Sequence, residues 1–327
     1  MLIYVIELLL SHAKLTAFNL SQFCDSIVVM KIKICSIGEC MLELTNAKKG
    51  LYSQSIAGDT LNFSAYLDKK IFEVSYLTAV GTSEMSKRAL NFIQKKKIET
   101  NLASQINSHE IGLYVIENNN VGEKIFYYWR DNSAAKFFFD NQNILKYLKD
   151  LQKFQYIYFT GITLSLFETK NFDNFINFLN LLKDKKIKII FDLNIRIKRW
   201  SKKKLILYFS KILPLTDILF SSGEDLNLWK GKTSLQSFES LIQKYDIKHG
   251  IYRNNARYNY SFYNNKKYFI KNKIIKKVVD TSGAGDGYNA AYLSNFVKFN
   301  NIQKALKAAS EVGARIVMKK GAIVQLS

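Results

Sequence analysis

Short apolar runs alternate with stretches of helical periodicity along most of this chain, and that alternation limits what it can fold into. Strand-like segments fall at Ile32–Ile37, Val74–Thr78, Tyr156–Phe159, Ile187–Phe191, Asp217–Phe220 and Lys248–Tyr252. Between them Met85, Ala89, Phe92 and Ile93 recur at helical spacing, and Phe172–Leu182 reads as a further helix. Near the C-terminus Tyr288, Ala291, Tyr292 and Phe296 make one apolar stripe; Ile302, Ala305, Leu306, Ala309, Val312 and Ile316 make another. Such alternation is the mark of βαβ units, so the expected class is α/β with a mostly parallel central sheet. Segments 41–56 and 111–130 depart from it, alternating in the manner of antiparallel strands, the second turning at Asn118–Gly122. They are expected to form a small sheet projecting from the main body. No internal repeat or low-complexity linker is visible, so the 327 residues read as one domain with an inserted lid.

The formal net charge of +21 would suit a nucleic-acid or membrane partner. Lysine dominates it, however, alongside abundant Asn, Ile, Phe and Tyr and a single Pro, the pattern of codon drift acting on solvated positions. Basic runs such as Lys95–Lys97 and Lys202–Lys204 are short and lack interleaved aromatics, so neither nucleic acid nor membrane is expected as a partner. Cys24, Cys35 and Cys40 have no disulfide or zinc spacing, and His12, His109 and His249 are scattered, which fits a reducing cytoplasm. Leu2–Leu10 is apolar but interrupted by Glu7, and falls short of a span of about 20 residues. A strand pattern opens at Met30, so residues 1–29 are expected to be an extension outside the core and 30–327 the domain proper.

The chemistry is concentrated in Asp280-Thr281-Ser282-Gly283-Ala284-Gly285-Asp286, which runs directly into a helical pattern. Its glycines let the backbone approach a ligand, and its amides lie at a helix N-terminus, where the dipole attracts negative charge. Asp286 at the lip of an anion socket is out of place unless a base is needed beside a phosphate under attack. Asn194 and Arg196 follow the strand ending at Phe191, and in open α/β sheets ligands bind at the carboxyl ends of strands. Arg130 leaves the lid two residues after Tyr128, and Tyr114 on the partner strand can share that face. Paired guanidinium groups with tyrosine hydroxyls suit a carboxylate-bearing ligand better than a neutral sugar.

The glycine string resembles the C-terminal signature of the PfkB (ribokinase-like) carbohydrate kinases. Ala57-Gly58-Asp59-Thr60-Leu61-Asn62 resembles that family's Gly-Gly-x-x-x-Asn sugar loop, with Ala57 replacing the first glycine. Phe191-Asp192-Leu193-Asn194-Ile195-Arg196 is similar to the Asp-x-Asn-x-Arg segment of the family's 2-keto-3-deoxygluconate kinases. Ile37–Met41, Phe126–Arg130 and Gly161-Ile162 also match, in order, from about Met30 to the end. The resemblance implies a three-layer α/β/α fold with a β lid, and transfer of the ATP γ-phosphate to the C6 hydroxyl of a sugar acid with Asp286 as base. It implies sugar contacts from Gly58, Asp59, Thr60, Asn62, Tyr114, Tyr128, Arg130, Arg196 and Asp286. ATP contacts would come from Asn194, Arg196, Arg253, Gly283, Ala284, Gly285 and Asp286. Mg²⁺ is implied as well, with Glu224 standing loosely for the metal-associated glutamate, and so is a homodimer through the lid. Tyr252-Arg253-Asn254-Asn255-Ala256 departs from the family's Lys-x-Gly on the nucleotide side. That departure keeps a decayed binding protein open as a reading, beside a kinase for another sugar such as 2-ketogluconate or fructose.

Overall fold

The computed structural model describes residues 30–48, 50–118, 124–141, 144–231, 234–254 and 257–326. The expected extension at 1–29 lies outside the described residues. From Ile32 onward the chain forms a single compact unit.

The strands are β1 (Ile32–Ile37), β2 (Met41–Lys48), β3 (Leu51–Ala57), β4 (Phe72–Val80), β5 (Ala103–Gln105), β6 (Gly112–Asn118) and β7 (Lys124–Trp129), followed by β8 (Tyr156–Thr160), β9 (Lys188–Asp192), β10 (Ile218–Ser222), β11 (His249–Asn254), β12 (Tyr258–Tyr263) and β13 (Lys266–Lys271). The longer helices are α1 (Asp59–Tyr66), α2 (Glu84–Lys95), α3 (Ala134–Asn141), α4 (Thr169–Asp184), α5 (Lys202–Ile212), α6 (Gly223–Lys230), α7 (Leu235–Lys244), α8 (Ala284–Phe299) and α9 (Ile302–Val317).

The main sheet runs β13-β12-β11-β10-β9-β8-β1-β4-β5. It is parallel from β11 through β5, and only the β11–β12 and β12–β13 pairs are antiparallel. Successive side chains of a strand point to opposite faces, and the parallel strands use both. Cys35, Ile157, Phe159, Ile189, Phe191 and Leu219 enter one core beneath α3, α4, α5 and α7. Ile34, Tyr158, Ile190, Ile218 and Phe220 enter the other, beneath α1, α2, α8 and α9. The three-layer arrangement follows from this double burial.

The β12–β13 hairpin was absent from the sequence expectation. Its strands join through Asn264-Asn265, both at positive φ (48° and 63°), the geometry of a two-residue hairpin turn that asparagine tolerates. The lid is a separate sheet, β3-β2-β6-β7. Both of its hairpins were expected, but they are joined by a parallel β2–β6 pairing rather than an antiparallel one. No helix among the described residues is long and apolar enough to cross a membrane.

Candidate functional site

The carboxyl ends of β8 and β9 meet the N-termini of α1 and α8 at the candidate cleft, and lid residue Lys124 reaches its edge at Asp280. Gly58 enters α1 where a Cβ would sit 2.3 Å from the Glu39 carbonyl oxygen, so only glycine passes there. Asp59, the first helical residue, accepts hydrogen bonds from Thr160 at the end of β8 and from Asn194 Nδ2 (2.9 Å) just past β9. Asn194 holds this position at φ 28°, in the left-handed region, a strained setting typical of functional loops. Asp225 braces the same loop: its Oδ1 accepts from the Ile195 amide at 2.8 Å, while Oδ2 closes a capping box with Ser222.

One turn into α1, Asn62 Nδ2 donates to Asp286 Oδ2 at 2.8 Å. The two terminal motifs, 224 residues apart, are therefore in direct contact. Thr60 is not part of the cleft surface; it is buried and bonded to Tyr76 Oη at 2.9 Å.

The glycine turn is built as its composition requires. Gly283 caps α8 at φ 70°, and a Cβ there would lie 2.2 Å from the Ala322 carbonyl oxygen. Buried Asp280 fixes the turn from behind, accepting from the Ser282 amide (2.8 Å), the Gly321 amide (3.0 Å) and the lid residue Lys124. Among the described residues, the Gly285 and Asp286 amides have no acceptor, so they are available to an anion at the helix N-terminus. Burial, reinforced by Asp59 and Asp192, pushes the Asp286 carboxyl up to about 8 from its ordinary 3.8, against the Asn62 hydrogen bond and the Arg253 charge. Asp286 as a residue is only partly buried.

Arg253, expected on the nucleotide, points inward. Its Nη1 donates to the Gly285 carbonyl (2.8 Å) and to Asn289 Oδ1 (2.8 Å), and Nη2 lies 3.7 Å from Asp192 Oδ2. Tyr252 of the departing segment is core, stacked on Phe238 at 5.2 Å; Asn255 and Ala256 lie outside the described residues. Glu224 is exposed at the start of α6, with no hydrogen bond or ion pair among the described residues.

In the lid, the Tyr114 hydroxyl donates to buried Glu43, whose other oxygen accepts from Ser55 at 2.8 Å. The Tyr128 ring lies 5.8 Å from that of Tyr114, and its hydroxyl, raised by burial, is pulled back by Arg196, Arg130 and Arg199. The expectation that Arg130 meets the sugar carboxylate needs correction, because Arg130 is buried and ion-paired to Glu39, which Ser133 also holds. Its buried Nε has no hydrogen-bond partner among the described residues. Arg196 is exposed, and among the described residues its guanidinium meets only the neighbouring Ile195 carbonyl.

The sequence reading missed Glu39, Glu43, Thr160, Asp192, Asp225 and Asn289 as contributors. Glu39 and Thr160 sit at strand ends, where ligands gather, and Ser222-x-x-Asp225 is a legible cap. Asn289 lies inside a helix and gave no local signal.

The sequence profile of the pfkB family carbohydrate kinases matches residues 31–327. The chain belongs to that family. A 2-dehydro-3-deoxygluconokinase of Haemophilus influenzae is 33% identical over 302 residues, covering 89% of this chain and 95% of the relative. The enzyme of the same name from Escherichia coli K12 is 28% identical, covering 90% and 98%. Among solved structures, a 2-dehydro-3-deoxygluconokinase of Thermotoga maritima superposes with a TM-score of 0.76 at 21% identity, covering 91% of this chain and 96% of that one. An E. coli putative ribokinase II in complex with ATP and Mg²⁺ gives 0.78 at 17% identity, covering 89% and 94%. The fold is thus the ribokinase-like one, and the enzyme class is a carbohydrate phosphotransferase.

Proposed function

We propose that this kinase phosphorylates 2-keto-3-deoxygluconate (2-dehydro-3-deoxygluconate) at the C6 hydroxyl, with ATP as donor. The reading is carried by the Asn62–Asp286 contact, which joins the sugar loop to the anion turn at the point where a hydroxyl and a terminal phosphate would meet. Asp286 takes the hydroxyl proton as the C6 oxygen bonds to the γ-phosphorus and the bond to the β–γ bridging oxygen breaks, releasing ADP. The Gly283-Ala284-Gly285 turn, its Ala284 amide held by the Thr281 carbonyl at 3.3 Å, leaves the Gly285 and Asp286 amides to the transferred group. Asp59, fixed by Thr160 and Asn194, accepts from sugar hydroxyls. The names of the relatives favour a sugar acid over a neutral sugar, and exposed Arg196 beside Tyr128 offers the charge its carboxylate needs.

Among the described residues, no group of three or more His, Cys, Asp or Glu side chains is arranged to hold a metal ion. Mg²⁺ would neutralise charge on the nucleotide phosphates, and Glu224, exposed at the start of α6, would act on it through water.

An ADP-release assay across 2-keto-3-deoxygluconate, 2-ketogluconate, fructose and ribose tests the substrate. The highest kcat/KM is expected for the first, and higher activity on fructose or ribose overturns the assignment. Arg196→Ala is expected to cost the sugar acid about 10–100-fold in kcat/KM, the worth of one charged hydrogen bond, and a neutral analogue little. Equal losses for both would remove the carboxylate argument.

The lid also supports a homodimer. Tyr128 pairs with Tyr114 over the site, so Ile125, Tyr127 and Trp129 alternate onto the opposite face, where Trp129 is 60% exposed. A second copy would cover these side chains through a two-fold contact. Light scattering should give twice the chain mass for the wild type and a monomer for Trp129→Glu; a monomeric wild type would discard the dimer.

A further inference from the structure

The residues behind the anion turn form a network that phosphate binding alone does not require. Asp192 ends β9 and is 1% exposed, with Oδ1 unpartnered and Oδ2 accepting from Asn289 Nδ2 at 2.7 Å. Arg253 on β11 reaches the same asparagine through Oδ1 (2.8 Å), lies 3.7 Å from Asp192, and takes the Gly285 carbonyl at 2.8 Å. Its guanidinium also lies over the Tyr288 ring, 5.9 Å from the centroid. One planar fork thus joins two strands of the sheet to the first and second turns of α8. A Cβ on residue 285 would lie 2.9 Å from Arg253 Nη1, so the arginine packs directly against the glycine backbone. Lysine could not reproduce these contacts, because a point ammonium cannot bridge a carbonyl, an amide and a carboxylate in one plane.

We propose that Arg253 is a positioning residue for phosphoryl transfer, anchoring the anion turn to β9 and β11 and placing a fixed positive charge behind Asp286, rather than a contact to the nucleotide. This rests on the kinase reading above and deepens it. Buried opposite charges left unpaired are strongly unfavourable, which explains why Asp192 and Arg253 occur together in the sheet. Besides the Asn62 hydrogen bond, the titratable groups that act on Asp286 are Asp59 and Tyr66 from α1, Tyr114 from β6, Tyr158 from β8, Asp192 from β9 and Arg253 from β11. Arg253 is the cation of this set, so its loss moves the carboxyl further up.

The test compares Arg253→Met, which removes charge and fork, with Arg253→Lys, which keeps charge and loses the fork. For Met, kcat should fall about 100-fold at neutral pH, the KM for ATP should stay within about twofold, and the acid limb of the kcat/KM profile should move to higher pH. For Lys, kcat should fall with the limb nearly in place. A rise of about tenfold or more in the KM for ATP with kcat preserved makes Arg253 a nucleotide ligand and overturns the proposal. An unmoved limb in Arg253→Met with unchanged kcat also overturns it. A ¹³C titration of the Asp286 carboxyl in the full-length protein reads the charge effect without any substrate. It should move upward in Arg253→Met even if the preferred sugar proves different, which separates failure here from failure of the substrate assignment. If Arg253→Met does not fold, Arg253→Lys carries the test of the fork through kcat and the KM for ATP, and Arg253→Gln, uncharged but still able to donate to the Gly285 carbonyl, carries the upward shift of the limb and of the ¹³C titration.

Discussion

Asp286→Asn should lower kcat by about 10²–10⁴-fold, the usual worth of a positioned general base, and at the same time raise the melting temperature near pH 8. Both results have one origin. Asparagine keeps the shape of the side chain and its hydrogen bond to Asn62, but cannot accept the hydroxyl proton. It also cannot ionise in a cleft that resists ionisation, since burial and the neighbouring Asp59 and Asp192 carboxylates push the wild-type group up to about 8. Between roughly pH 4 and 8 the folded protein therefore keeps a proton that the unfolded chain has already lost. With more protons bound in the native state, wild-type stability falls as pH rises through that window. The variant escapes this penalty, so the two melting curves should coincide near pH 4 and separate steadily toward pH 8. Asp192, pushed up to about 6 chiefly by burial, remains in both proteins and gives the variant a residual slope at lower pH. Wild-type kcat/KM should rise with pH through the region of 8, reporting the free-enzyme base. Retained turnover in Asp286→Asn would assign the base elsewhere, and parallel melting curves would show that this carboxyl ionises as readily in the folded protein as in the unfolded chain.

Much of this architecture was legible because local signals agreed with the global fold. Apolar strands such as Tyr156–Phe159 are buried on both faces of the parallel sheet, and the stripes on α8 and α9 face the sheet as their spacing requires. Asp286, Asn62, Asp59 and the glycine turn meet in one cleft because each lies in a short motif whose backbone geometry is dictated by its own residues. Side chains whose role depends on a distant partner were less legible. Arg130 reads as a contact for the sugar carboxylate until Glu39, 91 residues away, is seen to take it. Arg253 reads as a nucleotide ligand until Asn289 and the Gly285 carbonyl are seen to turn it inward. Thr60 sits among sugar-loop residues, yet helical geometry rotates it onto Tyr76 in the core. In each case the residue type was informative, and the direction of its side chain was set by packing beyond the motif.

Gly283→Ala should cost about 100-fold in kcat, because a displacement of about 1 Å at the anion turn is enough to spoil alignment for transfer. Two separate costs act at this position. The backbone is left-handed, at φ 70°, where any side chain loses about 1 kcal/mol relative to glycine. The added methyl would also lie 2.2 Å from the Ala322 carbonyl oxygen, and that neighbour is backbone rather than a side chain free to swing aside. The turn must therefore move, carrying the Gly285 and Asp286 amides away from the transferred phosphate. Gly231→Ala separates the two costs: its φ is 67°, but nothing lies within 4 Å of the new methyl, and it caps α6. That variant should lose about 1 kcal/mol of stability in denaturant titration with kcat unchanged. Gly283→Ala should lose at least as much stability and the bulk of its turnover, with sugar binding by calorimetry altered far less than kcat. Turnover in Gly283→Ala within twofold of wild type would show that the turn does not hold the reacting phosphate, whatever its resemblance to a socket.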